Sequence, residues 1–438
     1  MGFVMSKVAV PVMVISFLTV LLFPWTGFAE KQAFISSYDD RAGEVHTVYP
    51  VEQTPDPSSE PAAGAKKTDV LLKEAAARKE MPTLARGEVK NGARQKSYPS
   101  TQEKSAIEWF RSGTHYFKNR HWHTAILHYS RAIELDPKYA NAYCTRGSAY
   151  NALGLYKEGL ADLNKAIELN PRYDAAYNNR GVALHTLGQY HRAIVDFNKA
   201  IEFNPKFETA HHNRGFALHA LGRHHQAIAD LDKAIALSPN YAKAHHIRGV
   251  TSYSLGRYDE AIAHYSKSIE LHPRYDTAYN DRGIAYKALG RYAEALADLD
   301  KAVELNPKFA NAYCNRGTVY HDTGRYEEAI ADYNRAIELN PKYDEAYAYR
   351  GVAYHYLGKD DKKAILDYTK AIEINPDWAY AYYLRAGSHA ILKNTRSAME
   401  DLAKAVQIKS NFREEAAKDR DFDYLRNHPE FRRVIGEN

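Results

Sequence analysis

The chain has 438 residues, of which 45% are hydrophobic and 26% are charged, and its formal net charge is +5 at pH 7. This charge is small for the length, and the basic residues are interspersed with acidic ones, so the composition argues against a nucleic-acid-binding protein. Two cysteines, Cys144 and Cys314, are too few for a disulfide framework, and their spacing is not that of a metal site. The 34 tyrosines, against 15 phenylalanines, favour a fold with many half-buried positions.

Residues 1–29 predict a signal peptide or an N-terminal membrane anchor. Lys7 is followed by an uncharged run that continues to Ala29. Gly27 and Ala29 are small residues at the positions expected before a cleavage site ahead of Glu30. Retention as an anchor is the alternative, because the uncharged run is just long enough to cross a bilayer. Both alternatives predict an exported protein of the periplasm or cell envelope, with membrane contact only through this segment if it is not cleaved.

Residues 30–104 predict a disordered linker. The stretch VEQTPDPSSEPAAGAKK, residues 51–67, is rich in Pro, Ser, Ala and charge. Such a composition buries too little apolar surface to offset the entropy lost on ordering.

From Ala106 onward the chain repeats itself with a nearly fixed period. Seven prolines recur at intervals of 34 residues, and an eighth follows 35 residues later: Pro137, Pro171, Pro205, Pro239, Pro273, Pro307, Pro341 and Pro376. Each unit predicts two helices, the first ending before a glycine such as Gly290 and the second before the next proline. Residues 105–412 are therefore predicted to contain nine helix pairs, the ninth degenerate because Ser410 replaces the proline. A period of this size is typical of a solenoid.

The eighth position of each of the first eight units is glycine, in the middle of a predicted helix: Gly113, Gly147, Gly181, Gly215, Gly249, Gly283, Gly317 and Gly351. A mid-helix glycine costs about 1 kcal/mol relative to alanine. Its repetition predicts that a neighbouring helix passes very close to each of these positions.

The recurring aromatic, Gly, Tyr, Ala, aromatic, Ala and Pro positions strongly resemble the tetratricopeptide repeat family. The resemblance covers nine units, residues 106–412, and implies an all-α fold, a right-handed superhelical α-solenoid of antiparallel helix pairs. Four residues depart from the pattern and predict local loosening of the packing without loss of the fold: Gly159, His211, His245 and Ala386. Residues 413–438 predict a C-terminal capping helix, because a terminal repeat needs a cover with a polar outer side.

The sequence contains none of the phosphate-binding loops, metalloprotease motifs or nucleophile motifs that mark enzymes. The resemblance instead implies a non-enzymatic scaffold for protein–protein interaction, in which the first helices of the repeats line a concave groove for a peptide or a helix of a partner protein. No cofactor and no metal are predicted. The residues expected in this groove are Asn178, Asn179, His185, His212, Asn213, His219, His246, Asn280, Asn315, His321 and His355.

Several alternatives stay open at the level of sequence. The protein is also compatible with an accessory subunit of an enzyme or secretion complex, or with a self-assembling homo-oligomer. The histidines of the fourth and fifth units fit plain packing, metal binding, or a groove that becomes cationic near about pH 5.5. The predicted partner is an unidentified protein or peptide.

An Arg-Gly pair recurs in the first helix of most units, and an aspartate recurs sixteen or seventeen residues later in the second helix. Antiparallel helices bring these two positions to the same height, so they predict structural Arg–Asp ion pairs. The alternative is that the arginines face the groove and bind an anionic partner. The pairs predicted most directly are Arg180 with Asp196, Arg282 with Asp298, and Arg316 with Asp332.

Overall fold

A computed structural model describes residues 104–358 and 360–437 in full, and outside these ranges only four short strands. Strand β1 (Phe34–Ile35) pairs antiparallel with β4 (Tyr49–Pro50), and β2 (Tyr38–Asp39) pairs antiparallel with β3 (Glu44–Val45). The signal peptide or anchor predicted over residues 1–29 lies outside the described residues, as does the rest of the linker up to residue 103.

Within residues 104–358 and 360–437 every regular element is a helix. The first eighteen form nine consecutive pairs: α1 (Ala106–Lys118) and α2 (Trp122–Leu135); α3 (Ala140–Ala152) and α4 (Tyr156–Leu169); α5 (Asp174–Thr186) and α6 (Tyr190–Phe203); α7 (Glu208–Ala220) and α8 (His224–Leu237); α9 (Ala242–Ser254) and α10 (Tyr258–Leu271); α11 (Asp276–Ala288) and α12 (Tyr292–Leu305); α13 (Ala310–Asp322) and α14 (Tyr326–Leu339); α15 (Asp344–Gly358) and α16 (Asp361–Ile374); α17 (Ala379–Ile391) and α18 (Thr395–Ile408). The predicted all-α fold of antiparallel helix pairs is confirmed. None of the helices in the described residues is both long and apolar enough to span a bilayer.

The array divides into two compact units, residues 1–244 and 245–438. In each unit the core lies between the two helices of a pair and between successive pairs. Tyr129 and Phe197 are among the largest fully buried side chains of the first unit, and Leu299, Tyr333 and Tyr368 have the same role in the second.

The sixth pair illustrates how the sequence sets these elements. Helix α11 ends before Gly290, whose φ of +70° lies in the left-handed region that glycine adopts without strain. Helix α12 ends at Leu305, two residues before Pro307, which cannot continue a helix ladder.

The mid-helix glycines lie where two helices approach closely. A Cβ atom at Gly283 would lie 2.9 Å from Cγ of Leu299 and 3.2 Å from the backbone oxygen of Ala295. At Gly317 the same atom would lie 2.8 Å from the ring of Tyr333. The close approach predicted from the repeated glycine is therefore present in the structure.

The local loosening expected at the departures from the pattern is wrong for Gly159. A Cβ atom there would lie only 2.1 Å from Oδ1 of Asn151, so the asparagine side chain occupies the space that alanine fills in other repeats. Asn151 is itself buried and donates a long hydrogen bond of 3.5 Å to the backbone oxygen of Asn179. Gly159 and Asn151 are thus matched to each other.

The other departures are also packed. His211 is buried and its ring nitrogens lie 3.3 Å from Oδ1 of Asp230 and 3.3 Å from the backbone oxygen of Pro205. His245 and Ala386 are likewise buried. The helix pair is retained at each of these positions.

The C-terminal tail forms three short helices where the sequence predicted one capping helix. They are α19 (Phe412–Lys418), a 3₁₀ helix (Arg420–Leu425) and α20 (Pro429–Ile435). Asp419 ends α19 and its side chain accepts a hydrogen bond from the backbone N–H of Asp421, which starts the 3₁₀ helix. Pro429 at the first position of α20 forces a separate helix. The chain turns between α19 and the 3₁₀ helix and again before α20, and these two turns keep the tail against the last helix pair.

Candidate protein-interaction surface

The predicted Arg–Asp positions are joined by paired hydrogen bonds. Nε and one terminal nitrogen of each guanidinium donate to the two oxygens of one carboxylate, the geometry in which arginine binds a carboxylate most strongly. Donor–acceptor distances of 2.5–2.8 Å are found for Arg146 and Asp162, Arg180 and Asp196, Arg214 and Asp230, Arg282 and Asp298, Arg316 and Asp332, Arg350 and Asp367, and Arg385 and Asp401.

Each of these arginines also has a second partner residue, which the sequence did not predict. Its remaining nitrogen donates to a polar side chain on the second helix of the preceding repeat, at 2.6–3.0 Å. These partners share one position of the repeat and are Ser130, Asn164, Asn198, Ser266, Asp300, Asn334 and Thr369. The recurrence of small polar residues there, sixteen residues before each arginine, is the signal that could have revealed them.

In the fifth repeat the arginine has different hydrogen-bond partners. His264 replaces the aspartate, and Arg248 instead donates to Ser252 on its own helix and to Glu260 on the next one. Nδ1 of His264 lies 3.4 Å from Nδ1 of His245. The arginine position is thus satisfied inside the array in this repeat as well.

The guanidinium groups lie against tyrosine rings rather than in the open. The carbon at the centre of the Arg282 guanidinium is 5.7 Å from the Tyr279 ring and 5.8 Å from the Tyr286 ring, within the range of cation–π interaction. Burial alone would lower the pKa of Arg282, but the hydrogen bond and charge of Asp298 raise it above its ordinary value. Arg282 is therefore a structural cation within the array.

The predicted groove asparagines of the first unit form a buried network. Nδ2 of Asn213 donates to Oδ1 of Asn178 at 2.9 Å, and Nδ2 of Asn178 donates to Oδ1 of Asn179 at 3.2 Å. Asn179 continues the chain by donating to Oγ of Ser148 at 3.0 Å. All three asparagines are buried, so the amides link the first helices of successive repeats to each other.

The predicted groove histidines of the first unit are packed among aromatic rings. The His185 ring lies 4.7 Å from that of Phe216, and the His212 ring lies 4.9 Å from that of Tyr241. His219 lies 5.1 Å from the ring of His224. Burial lowers the pKa of His185 to about 4 and is also the main cause that lowers the pKa of His219 to about 4.

These two histidines are therefore neutral at about pH 5.5, since their pKa values lie well below it. His185 belongs to the third unit, outside the histidines of the fourth and fifth units for which the sequence left open a groove that becomes cationic near that pH, and that alternative stays a prediction. Beside His185 the structure has a cavity of only about 10 Å³ lined by Val182, Phe197, Asn213 and Phe216. That volume is below the roughly 300–1,000 Å³ of small-molecule pockets.

In the second unit the same positions form a second polar network. Nδ2 of Asn315 donates to Oδ1 of Asn280 at 2.9 Å, and Nδ2 of Asn280 donates to Oδ1 of Asp281 at 3.0 Å. Oδ2 of Asp281 lies 2.7 Å from Nε2 of His246, whose other ring nitrogen lies 3.2 Å from the hydroxyl of Tyr275. Asn280 and His246 are buried, whereas Asn315 is half-buried.

The end of the second unit's predicted groove carries aromatic side chains. His321 is half-buried, and its ring lies 5.4 Å from Tyr326 and 5.5 Å from Tyr356. The two tyrosine rings are nearly parallel, with centroids 5.7 Å apart, and Tyr356 is 45% exposed. His355 is half-buried, and Nδ1 of its ring lies 3.0 Å from Oδ1 of Asp361.

The predicted groove residues consequently separate into two sets. The buried set holds successive first helices together and comprises Asn178, Asn179, His185, His212, Asn213, His219, His246 and Asn280. The half-buried set reaches solvent and comprises Asn315, His321 and His355. No group of three or more side chains in residues 104–358 and 360–437 has the arrangement of a metal site.

The helix pairs are short and antiparallel, and side-chain hydrogen bonds join successive repeats. These features define a repeat scaffold. The family model described as TPR repeat matches residues 113–154, 147–188, 251–290, 285–324 and 317–358, and the model described as Tetratricopeptide repeat matches residues 175–207 and 209–241. These matches cover more than half of the chain, which belongs to the tetratricopeptide repeat family. Proteins of this family are generally non-catalytic scaffolds that bind protein or peptide partners.

Solved structures of repeat proteins are similar to parts of the chain. A tetratricopeptide repeat protein from Parabacteroides merdae is 21% identical, covering 57% of this chain and 98% of its own, with a TM-score of 0.46. YrrB, described as a TPR protein with an unusual peptide-binding site, is 23% identical over 42% of this chain and 95% of its own, with a TM-score of 0.35. MamA is 28% identical over 38% of this chain and 96% of its own, with a TM-score of 0.34. At these TM-scores the similarities carry no argument about function. A search of curated proteins finds no match.

Proposed function

We infer that the protein is a scaffold of the bacterial cell envelope that binds a peptide or helix of a partner protein along the first helices of its second unit. The observation that supports this proposal is the half-buried Asn315 on α13. Among the described residues its side chain donates to Asn280 at 2.9 Å. An asparagine amide has two N–H donors and a carbonyl acceptor, so it retains capacity for the backbone of an extended peptide.

The surroundings of Asn315 suit such a ligand. Lys287, one repeat earlier, is half-buried and pairs with Asp322 at 3.3 Å. His321 and the exposed Tyr356 provide aromatic edges at one end of this surface. Paired charges, amides and rings favour a partner segment that contributes backbone hydrogen bonds and apolar side chains rather than a strongly anionic one.

The test is site-specific photo-cross-linking with the full chain in its native cells. A photoreactive residue at Asn315 is compared with one at Glu338, which lies on the second helix of the same pair and is 64% exposed. The expected result is a defined adduct from position 315, mapped to one partner segment and suppressed by a synthetic peptide of that segment. Equal adducts from both positions, or none from position 315, would refute the proposed surface. An adduct that contains only this chain would instead support the homo-oligomer.

The envelope location is tested separately on the N-terminus. Cleavage of residues 1–29 leaves a mature chain that begins at Glu30, which intact-mass measurement of the native protein identifies. A chain that retains residues 1–29 and fractionates with membranes supports the anchor. An uncleaved chain in the cytosolic fraction would refute export but not the groove.

A further inference from the structure

The C-terminal segment Phe412–Ile435, here called the cap, docks on α17 through aromatic contacts. The Phe412 ring stacks on Tyr383 with centroids 4.8 Å apart, and the Phe422 ring lies 5.6 Å from the same tyrosine. Phe431 packs on Phe422 at 5.7 Å. These three phenylalanines are essentially fully buried, so apolar burial supplies the main attraction between cap and array.

The cap also brings two carboxylates against α17. Oδ2 of Asp419 accepts a hydrogen bond of 2.6 Å from the hydroxyl of Tyr383. Asp421 lies against Gly387, where an added Cβ atom would be 3.3 Å from Oδ2 of the aspartate. Glycine at this position therefore leaves room for a carboxylate to enter.

A third carboxylate faces them from α16. Asp361 is only 1% exposed, and its Oδ1 accepts a hydrogen bond of 2.7 Å from Ser388 and lies 3.0 Å from Nδ1 of His355. Its Oδ2 is buried without a hydrogen-bond partner in the described part of the chain. Because this buried oxygen has no hydrogen-bond donor, a neighbouring carboxyl group is more stable in its protonated, neutral form than in its charged form.

The charges that act most strongly on Asp421 come from Asp419, Asp361 and Asp423, which raise its pKa, and from His355, which lowers it. Asp423 is exposed and pairs with Arg426, which also donates to the backbone oxygen of Asp419. The other titratable side chains that face the cluster are tyrosines, which the charge of Asp421 affects: Tyr356 on α15, Tyr368 on α16 and Tyr383 on α17. Three carboxylates thus converge around one histidine.

Burial, with the charge of Asp419, raises the pKa of Asp421 from its ordinary 3.8 to about 6. Below pH 3.8 Asp421 is protonated whether or not the cap is docked, and its contribution to docking is complete. As the pH rises through about 6 the docked carboxyl ionises, and this contribution is lost. The hydrogen bond to Asp361 raises the pKa of His355 above 6.5. Asp361 belongs to α16 and keeps this bond when the cap opens, so only the charges of Asp421 and Asp419 connect His355 to the cap.

We propose that the cap is a proton-controlled latch, held closed in mildly acidic conditions by the proton on Asp421 where it enters beside Gly387 and faces Asp361, and opening more often as the pH rises. Opening exposes Tyr383 and Ala386 of α17, part of an apolar face that the cap otherwise covers. The latch requires the cap and not Asn315, so the exchange test and the cross-linking test can fail separately.

The test is hydrogen exchange of the full chain followed by mass spectrometry, corrected for the intrinsic pH dependence of exchange. Amides of residues 412–435 in the wild type should be about tenfold better protected at about pH 5.5 than at about pH 8, a smaller change than the full pKa shift allows because Asp421 is partly exposed. Amides of α11 and α12 serve as the internal reference and should show no such change.

Three variants decide the origin of the effect. D421N should reduce the pH dependence to about threefold or less and raise protection of the cap at the higher pH, because its side chain cannot ionise. E430Q, which changes an exposed carboxylate on α20 of the cap, is the matched control and should retain the wild-type dependence. If D421N fails to dock, D421A removes the charge without an amide that needs a partner, and the same reduction is expected.

Two results would overturn the latch. One is equal protection of the wild-type cap at both pH values. The other is a wild-type pH dependence in D421N or D421A.

Discussion

Removal of the Asp298 carboxylate is the sharpest test of the Arg–Asp pairs. Arg282 donates to both oxygens of Asp298 at 2.7 Å, and the two side chains are 18% and 9% exposed. In Asp298→Ala the guanidinium keeps its bond to Ser266 and its contact with the tyrosine rings. It loses the partner whose charge offsets its burial, so a desolvated cation is left without a carboxylate.

The expected loss follows from the burial of the pair. Breaking a fully buried ion pair costs about 3–5 kcal/mol, and exposed pairs contribute about 0–1 kcal/mol. Because the guanidinium still reaches solvent at one edge, we expect a loss of about 2–3 kcal/mol in the local stability of the sixth pair. That corresponds to roughly a 30- to 150-fold increase in the hydrogen exchange of α11 and α12, at about 1.4 kcal/mol for each factor of ten.

Hydrogen exchange is the suitable assay because a repeat array does not unfold as one two-state unit. Glu304→Ala is the matched control on the same helix, since Glu304 pairs with Lys301 at 2.7 Å but the side chains are 67% and 38% exposed. It should change the exchange of α12 by less than about threefold. A double-mutant cycle with Arg282→Ala should show a coupling of about 1–3 kcal/mol. Equal small effects of Asp298→Ala and Glu304→Ala would refute the structural role of the pair.

Three further outcomes are expected from residues that the structure links. Gly159→Ala should destabilise the second pair by about 1–3 kcal/mol in the same assay, because its methyl overlaps Asn151. Adding Asn151→Ala to that variant should restore the stability of the pair. A double variant as unstable as Gly159→Ala alone would contradict the match between the two residues. Asn315→Ala should cost about 1 kcal/mol by leaving Oδ1 of Asn280 without its donor, and Asn280→Ala should add little to that loss; fully additive losses would contradict the link. The low pKa of His185 makes the third pair lose stability as the pH falls from 6.5 to about 4, and His185→Gln should abolish that loss in protection measured over the same pH range; an unchanged loss would assign it to another group.

The positions of the helix boundaries follow from local chemistry. Gly290 accepts the left-handed turn that ends α11, and Pro307 prevents α12 from continuing. The same two signals recur in nearly every repeat, so the sequence predicts the number, length and pairing of the helices. The glycine at position 283 even indicates where the helices of a pair approach most closely.

Pairing within one repeat is also accessible from the sequence. Arg282 and Asp298 lie on adjacent antiparallel helices at equal height, so a count along the chain is enough to relate them. The second partner, Ser266, belongs to the preceding repeat. A small polar residue recurs sixteen positions before each arginine and marks this position, but whether the two side chains meet depends on how one helix pair is rotated against the next.

The candidate groove shows the same division. The sequence selected the polar positions of the first helices, but Asn179 and Asn315 occupy the same position of their repeats and differ in burial: Asn179 is buried in a hydrogen-bonded network and Asn315 reaches solvent. Likewise, Gly159 predicts loosened packing in its repeat, whereas in the structure the Asn151 side chain occupies the space of the missing methyl group. Helix formation and repeat length are set by local residue preferences that act over a few residues. Whether a polar side chain serves the array or faces a partner is decided by packing between repeats, because only that packing determines which of its hydrogen-bonding atoms are already used.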